Sequence, residues 1–220
     1  VNEQLPLLGT DIDTCNEATL DIEIFPDRPD LLSGETLAYA MVNFLHGAPA
    51  SPDLEVTSSG LSITVDEALK TIRPVIYGAV VRGVGVPEDD EGTDQFIKAL
   101  MDHQEKLHFA LGRGRRRASI GVHDLAKLTP PFRVMSVAGS HSFIPLASDE
   151  PMTVSEILVK HPKGMDYAHL LEGMERFPLI VDSDKKVLSF PPIINGEHTT
   201  VTGATRDFFV DVTGWDERAC

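Results

Sequence analysis

The sequence predicts an α+β fold: a mixed or antiparallel sheet with flanking helices, plus a small N-terminal α/β portion. Two observations carry this. Strand-like stretches recur along the chain, either alternating with period two (TLDIEIF, 19–25) or as short apolar runs (75–86, 118–125, 179–181, 208–212). Helical patterns fall between some of them but not all, so the strict βαβ rhythm of a parallel sheet is missing. Hydrophobic residues make up 42% of the 220 positions, enough for a packed core.

Residues 1–18 read as polar and irregular. Leu20, Ile22 and Ile24 then alternate with Asp21 and Glu23, a half-buried strand that Pro26-Asp27-Arg28-Pro29 ends. Ser33 is placed to cap a helix from about Gly34 to His46, with Leu37, Met41, Phe44 and Leu45 on its apolar face and Gly47 as its stop. A loop rich in Pro, Ser, Asp and Gly follows over 48–60, and the domain boundary is expected there or just after it.

Beyond the loop, 61–65 is a short strand candidate and 75–86 a longer one, interrupted by Gly78, Gly83 and Gly85. Ile97, Leu100, Met101, Leu107 and Leu111 define one face of a helix over about 94–111, which Gly112 is suited to end. The segment ASIGVHDL is another strand, and the twenty residues after Pro130-Pro131 look irregular. Thr153 with Glu156 makes a capping box for a helix to about His161, where Pro162 stops it, and 165–171 is one more short helix.

The stretch 188–214 concentrates polar groups on apolar ground. Pro191-Pro192 ends one strand because neither residue has an amide hydrogen. Asn195-Gly196 is a turn signal, and Phe208–Val212 is a second strand. A carboxylate at Asp211, among large apolar residues, is expensive to bury. Ser189, Asn195, Asp211 and Thr213 are therefore candidates to converge as the few polar groups of a small-ligand pocket. The competing reading is a hairpin-like pair with polar residues on its wet face.

The formal net charge is −15, which argues against nonspecific nucleic-acid binding by the whole surface. Arg113, Arg115, Arg116 and Arg117 form a local basic cluster, read either as a solvated loop or as a phosphate contact. The two cysteines, Cys15 and Cys220, have neither disulfide-framework nor metal-site spacing, and a reducing cytoplasm is the default. No run approaches the roughly 20 apolar residues of a membrane span, and no secretory signal opens the chain. The chain lacks an initiator Met and reads as an excised fragment. No phosphate-binding glycine loop, HExxH or CxxC is present, and no metal site is expected. His123-Asp124 reads as a structural pair at a strand end. Ser119 and Ser189 carry no nucleophile-elbow motif.

One resemblance adds to this. The segment Ile24-Phe25-Pro26-Asp27-Arg28-Pro29-Asp30-Leu31-Leu32-Ser33 resembles a segment near the N-terminus of phenylalanyl-tRNA synthetase beta subunits. Four further stretches look like the archaeal and eukaryotic type of that subunit: 104–108 (QEKLH), 115–124 (RRRASIGVHD), 160–171 (KHPKGMDYAHLL) and 178–214. The resemblance implies that 1–58 is part of the subunit's N-terminal domain and that 59–220 is its editing module, truncated at its C-terminus. It implies an activity: hydrolysis of tyrosine wrongly attached to phenylalanine tRNA. It implies catalytic roles for Ser189, Asp211 and Thr213, and substrate contact by Leu179 and by Pro191 in the same stretch. To these we add Asn195 and Gly196, beside the expected pocket, and Arg115, Arg116 and Arg117 as tRNA contacts. In the complete enzyme the resemblance implies a cytoplasmic α2β2 heterotetramer. There an alpha subunit joins phenylalanine to tRNA with ATP and magnesium, while this stretch needs no cofactor. The alternative function is a noncatalytic tRNA-docking or subunit-assembly scaffold.

Overall fold

A computed structural model describes residues 3–47 and 55–220. Residues 48–54 of the expected boundary loop lie outside them. In the first portion, β1 (Thr10–Cys15) pairs antiparallel with β2 (Leu20–Ile24), and Asn16 Oδ1 accepts the amides of Ala18 and Thr19 at 2.9 Å to close the turn. The strand at 10–15 corrects the irregular reading of residues 1–18. TDIDTC carries one large aliphatic residue, so pairing with β2, and not periodicity, makes it a strand. Ser33 caps α1 (Gly34–His46) through a box with Thr36, and Gly47 ends it at φ 60°. Leu37 and Met41 pack on Leu5, Leu8 and Leu31, whereas Phe44 and Leu45 stay about half exposed, 47% and 45%.

The second portion contains β3 (Ile63–Val65), β4 (Val75–Val81), α2 (Asp90–Ala110), β5 (Ala118–Asp124), β6 (Phe132–Ala138), β7 (Ser142–Phe143) and β8 (Met152–Thr153). It continues with α3 (Val154–Lys160), α4 (Pro162–Tyr167), β9 (Arg176–Val181), β10 (Val187–Phe190), β11 (Ile194–Asn195) and β12 (Phe208–Gly214). Five strands form one sheet in the order β11-β10-β9-β6-β3, antiparallel except for the parallel pair β3/β6. Three form an antiparallel sheet, β4-β12-β5, and β7 pairs with β8. The fold is α+β, as expected, and the larger sheet is mixed. No helix of the described residues is long and apolar enough to cross a membrane.

Two cores follow from strand alternation. One face of the larger sheet, with Leu179, Phe190 and Val181, packs on Val154 and Ile157 of α3. The other face, with Phe132, Val134, Ile180 and Leu188, meets Phe209 of β12 and the partly buried Ile76 and Val80 of β4. Phe209 is 2% exposed and its ring lies 4.5 Å from that of Phe132.

Three further expectations are corrected. The segment after Pro130-Pro131 is not irregular: β6 begins at once and sits between β9 and β3, because a proline just before a strand removes no ladder bond. The segments 188–190 and 208–214 do not pair; they lie in different sheets. The turn after β10 falls at Pro191–Ile193, with Ile193 N–H donating to Phe190 O at 2.7 Å. Asn195 is already in β11, and Gly196 has φ −78°, ordinary extended backbone. Glycine is needed at 196 for close approach, since a Cβ there would overlap Val187 O.

Phe209→Ala should cost about 3–5 kcal/mol, because it empties the contact between the two sheets. Denaturant unfolding measures this, and a loss below about 1 kcal/mol would contradict the packing described.

Candidate active site

β5 is an edge strand of its sheet, and its free edge lines a cavity of about 380 Å³. An open edge presents unpaired ladder groups. Here side chains take them up. Ile120 N–H donates to His108 Nε2 at 2.7 Å, Gln104 Nε2 donates to Ile120 O at 2.6 Å, and Asn195 Nδ2 donates to Val122 O at 3.3 Å. These three groups are satisfied by side chains and not by a further strand, which leaves room beside the edge. α2 supplies the opposite wall. Asp89 caps that helix through Gly92 N–H at 2.7 Å. Ile97, Met101, Gln104 and His108 recur at helical spacing on the face turned to β5.

The floor comes from β12. Phe209, Asp211 and Thr213 share one face of that strand and are all buried. Asp211 lines the cavity, is 1% exposed, and its Oδ2 lies 2.7 Å from His123 Nε2. His123, fully buried, places Nδ1 2.9 Å from Thr199 Oγ1. Thr199 donates its single hydroxyl proton to Gly196 O at 3.0 Å. It therefore accepts from His123 Nδ1–H, and the other ring nitrogen, Nε2, is the one that meets Asp211 Oδ2. This corrects the His123-Asp124 pair: Asp124 instead accepts from Thr205 Oγ1 at 2.9 Å. Gly121 stands opposite Asp211 in the ladder, and a Cβ there would overlap Asp211 Oδ2. The second oxygen, Asp211 Oδ1, accepts no hydrogen bond from the described residues.

Of the candidate residues, the structure brings Ser189, Pro191, Asn195, Asp211 and Arg115 to the cavity wall. Thr213 shares the face of Asp211 but does not reach the wall: its Oγ1 accepts from Arg73 Nε at 2.8 Å and lies 3.0 Å from Ser119 Oγ. Leu179 is fully buried on the other face of the larger sheet and does not line the cavity. Gly196 contributes backbone behind it, accepting from Thr199.

Arg115 corrects the surface-cluster reading. It is 7% exposed, donates to Ile193 O at 2.8 Å and Pro192 O at 3.2 Å, pairs with Glu105, and lies 4.3 Å over the Tyr167 ring. Its backbone has φ 65°, unusual for a residue with a Cβ, and it follows Gly114 at φ 61°. That contorted loop turns Arg115 inward and leaves Arg116 and Arg117 exposed. Glu105 is held down to about 2 by His108 and then by Arg115 and Lys163, against the opposing effect of burial. Periodicity did not reveal Ser119, Gly121, Gln104, Glu105 and His108 as wall residues. The one available signal was the small-small-His alternation of Ser119, Gly121 and His123, which needs the β12 register to acquire meaning. Among the described residues, no group of three or more His, Cys, Asp or Glu side chains is placed to hold a metal ion.

The B3/4 domain family model matches residues 89–220. The phenylalanine–tRNA ligase beta subunit of Methanothrix thermoacetophila is 50% identical over 216 residues, covering 97% of this chain and 39% of that protein. That of Methanococcoides burtonii is 49% identical over 212 residues, covering 96% and 38%. The chain thus spans about two fifths of the length of these relatives. A crystal structure of an N-terminal fragment of the phenylalanyl-tRNA synthetase beta subunit from Pyrococcus horikoshii superposes with a TM-score of 0.88 at 35% identity, covering 99% of this chain and 63% of that one.

Because the Glu105 carboxyl is depressed in the fold, the stability it contributes is fully present above its unfolded value near 4.5 and is lost as pH falls towards about 2. Glu105→Gln should therefore flatten the acid limb of stability between about pH 4.5 and 2. Urea midpoints measured across that window check this, and parallel curves would contradict it.

Proposed function

The chain belongs to the B3/4 domain family and is of the phenylalanine–tRNA ligase beta-subunit type, and on that premise we propose that its cavity hydrolyses tyrosine wrongly joined to phenylalanine tRNA. One observation supports this most: Asp211, buried and anchored through Oδ2, lines the cavity with Oδ1 unpartnered. Tyrosine and phenylalanine differ by one hydroxyl, and an apolar synthetic pocket rejects an added hydroxyl only about a hundredfold. A second site that recognises the hydroxyl positively removes the error. A phenol donates to Oδ1 and repays its desolvation; phenylalanine leaves that oxygen buried and unsatisfied. The cavity volume, about 380 Å³, suits an aminoacyl group. Ser189 and Asn195 add polar contacts on the wall, and Pro191 and Ile193 add apolar ones. Hydrolysis itself is attack of water on the ester carbonyl, releasing tyrosine and free tRNA.

The whole assembly is part of the same proposal. An alpha subunit in a cytoplasmic α2β2 enzyme would charge phenylalanine tRNA using ATP and magnesium, and no step at this cavity is routed through either. Arg116 and Arg117, exposed at the end of the loop beside the cavity, are proposed to contact tRNA phosphate.

In the complete enzyme, Asp211→Ala should slow tyrosyl-tRNA deacylation roughly ten- to a hundredfold, so that tyrosyl-tRNA accumulates while phenylalanine activation continues. Asp211→Asn separates charge from shape: deacylation near the normal rate makes Asp211 a positioner and not a general base. Normal rates in both variants would return the cavity to the docking-scaffold reading. Replacing Arg116 and Arg117 together with Ala should reduce the steepness of the log–log salt dependence of tRNA binding by roughly 1.5, as two phosphate contacts are lost. An unchanged slope would make the pair a solvated loop.

A further inference from the structure

Arg73 is a buried cation that the proposed chemistry has not used. It follows the turn of helix at Glu67–Thr71, is 5% exposed, and reaches under β5 and β12. Its Nε donates to Thr213 Oγ1 at 2.8 Å. One terminal nitrogen donates to Thr213 O at 2.7 Å, Ser119 Oγ at 3.1 Å and Arg115 O at 3.3 Å. Every acceptor is neutral; among the described residues no carboxylate pairs with it. Burial pushes its pKa down to about 10, offset by Cys220 and by Asp211, so it remains charged at neutral pH. A cation spent on two hydroxyls and two carbonyls controls where the hydroxyl protons go.

A hydroxyl offers one donor and two acceptor positions. Thr213 Oγ1 accepts from Arg73 Nε. Ser119 Oγ accepts from the terminal nitrogen. The two oxygens are 3.0 Å apart, and one proton lies between them. Thr213 is 3% exposed and off the cavity wall, and Ser119 Oγ is the acceptor its proton has. The opposite assignment would bury that proton unsatisfied. Thr213 therefore donates to Ser119, and both acceptor positions of Ser119 are filled. Ser119 lines the cavity, and with both acceptor positions taken its own O–H is free to turn there. The planar fork of arginine serves both hydroxyls at fixed angles, which a lysine ammonium does not.

We propose that Ser119 is a fixed hydrogen-bond donor to the ester carbonyl oxygen of the bound aminoacyl group, with Arg73 and Thr213 as positioning residues that set its direction. This rests on the editing reading above. Ser119 faces Thr213 and Gly121 faces Asp211 in the ladder, so the donor stands one step, about 7 Å, along the face from the carboxylate. With the phenol on Asp211, the acyl end of the same ligand falls to Ser119. As the carbonyl becomes a tetrahedral oxyanion under attack by water, a donor already aimed at it strengthens without reorganising. Thr213 thereby matters to the site without touching the ligand.

The test is deacylation of tyrosyl-tRNA by the holoenzyme carrying Ser119→Ala, Arg73→Lys, or both, with melting temperature measured alongside. Ser119→Ala should lower kcat about ten- to a hundredfold with KM little changed. Arg73→Lys should lower kcat similarly, and the double variant should be no slower than the slower single one. A purely structural Arg73 would give losses that multiply. Ser119→Ala leaves Arg73 its other acceptors, so this arm decides the matter even if Arg73→Lys does not fold. A wild-type rate in Ser119→Ala, or multiplying losses, would overturn this inference alone; an inactive wild-type holoenzyme would overturn the editing reading with it.

Discussion

The contact between Asp211 and His123 is the constraint on which the site depends. A carboxylate that is 1% exposed must be compensated, and a fully buried imidazole 2.7 Å away does so. The rest follows from holding those two groups still. β12 is the central strand of its sheet, laddered on both sides, so Asp211 cannot drift along it. Gly121 leaves the space the carboxylate fills. Thr199 fixes the far side of the imidazole, and the Phe209 ring lies 6.0 Å from it in a stacked arrangement. Once Oδ2 is committed, Oδ1 is the oxygen left for a ligand.

The cavity exists because β5 pairs with β12 on one side only, and among the described residues no strand takes its outer edge. Gln104 and His108 from α2 and Asn195 from β11 bond three of its outward ladder groups and hold those two elements at a distance. Arg115 ties the same walls together. Its guanidinium joins Glu105 on α2, the carbonyls of Pro192 and Ile193, and the Tyr167 ring of α4. A buried cation with that many partners is a brace, and the left-handed backbone at Arg115 is the conformation that lets it reach inward.

Local rules recovered what is local. The Ser33 cap of α1, the Thr153–Glu156 box of α3 and the extent of β5 are legible, because each depends on a few neighbouring residues. The face of α2 is only half legible: Ile97 and Met101 do face the cavity, but Leu111, expected beside them, is 52% exposed and the buried residue of the helix is His108. Asp211 was legible as a costly carboxylate in an apolar strand. The identity of its partner was not, because His123 lies 88 residues away and only the β5/β12 register joins them. Arg115 was misread for the same reason: four arginines in five residues look like a solvated cluster, and nothing local says that one of them folds inward. Thr213, expected in the pocket with Asp211, is buried on the same strand face but is held by Arg73, 140 positions distant, and does not reach the wall. β6 is not legible because the two prolines before it suggest a loop, whereas a strand can follow a proline directly.

Asp211 Oδ1 is proposed to receive the hydroxyl of a tyrosyl group. A crystal structure of the holoenzyme with a nonhydrolysable tyrosyl-adenosine analogue tests it directly. The analogue is expected in the cavity beside β5, with its phenol oxygen about 2.5–3.0 Å from Asp211 Oδ1 and the Asp211–His123 contact intact. A phenol directed elsewhere, or an analogue seated outside this cavity, would contradict it.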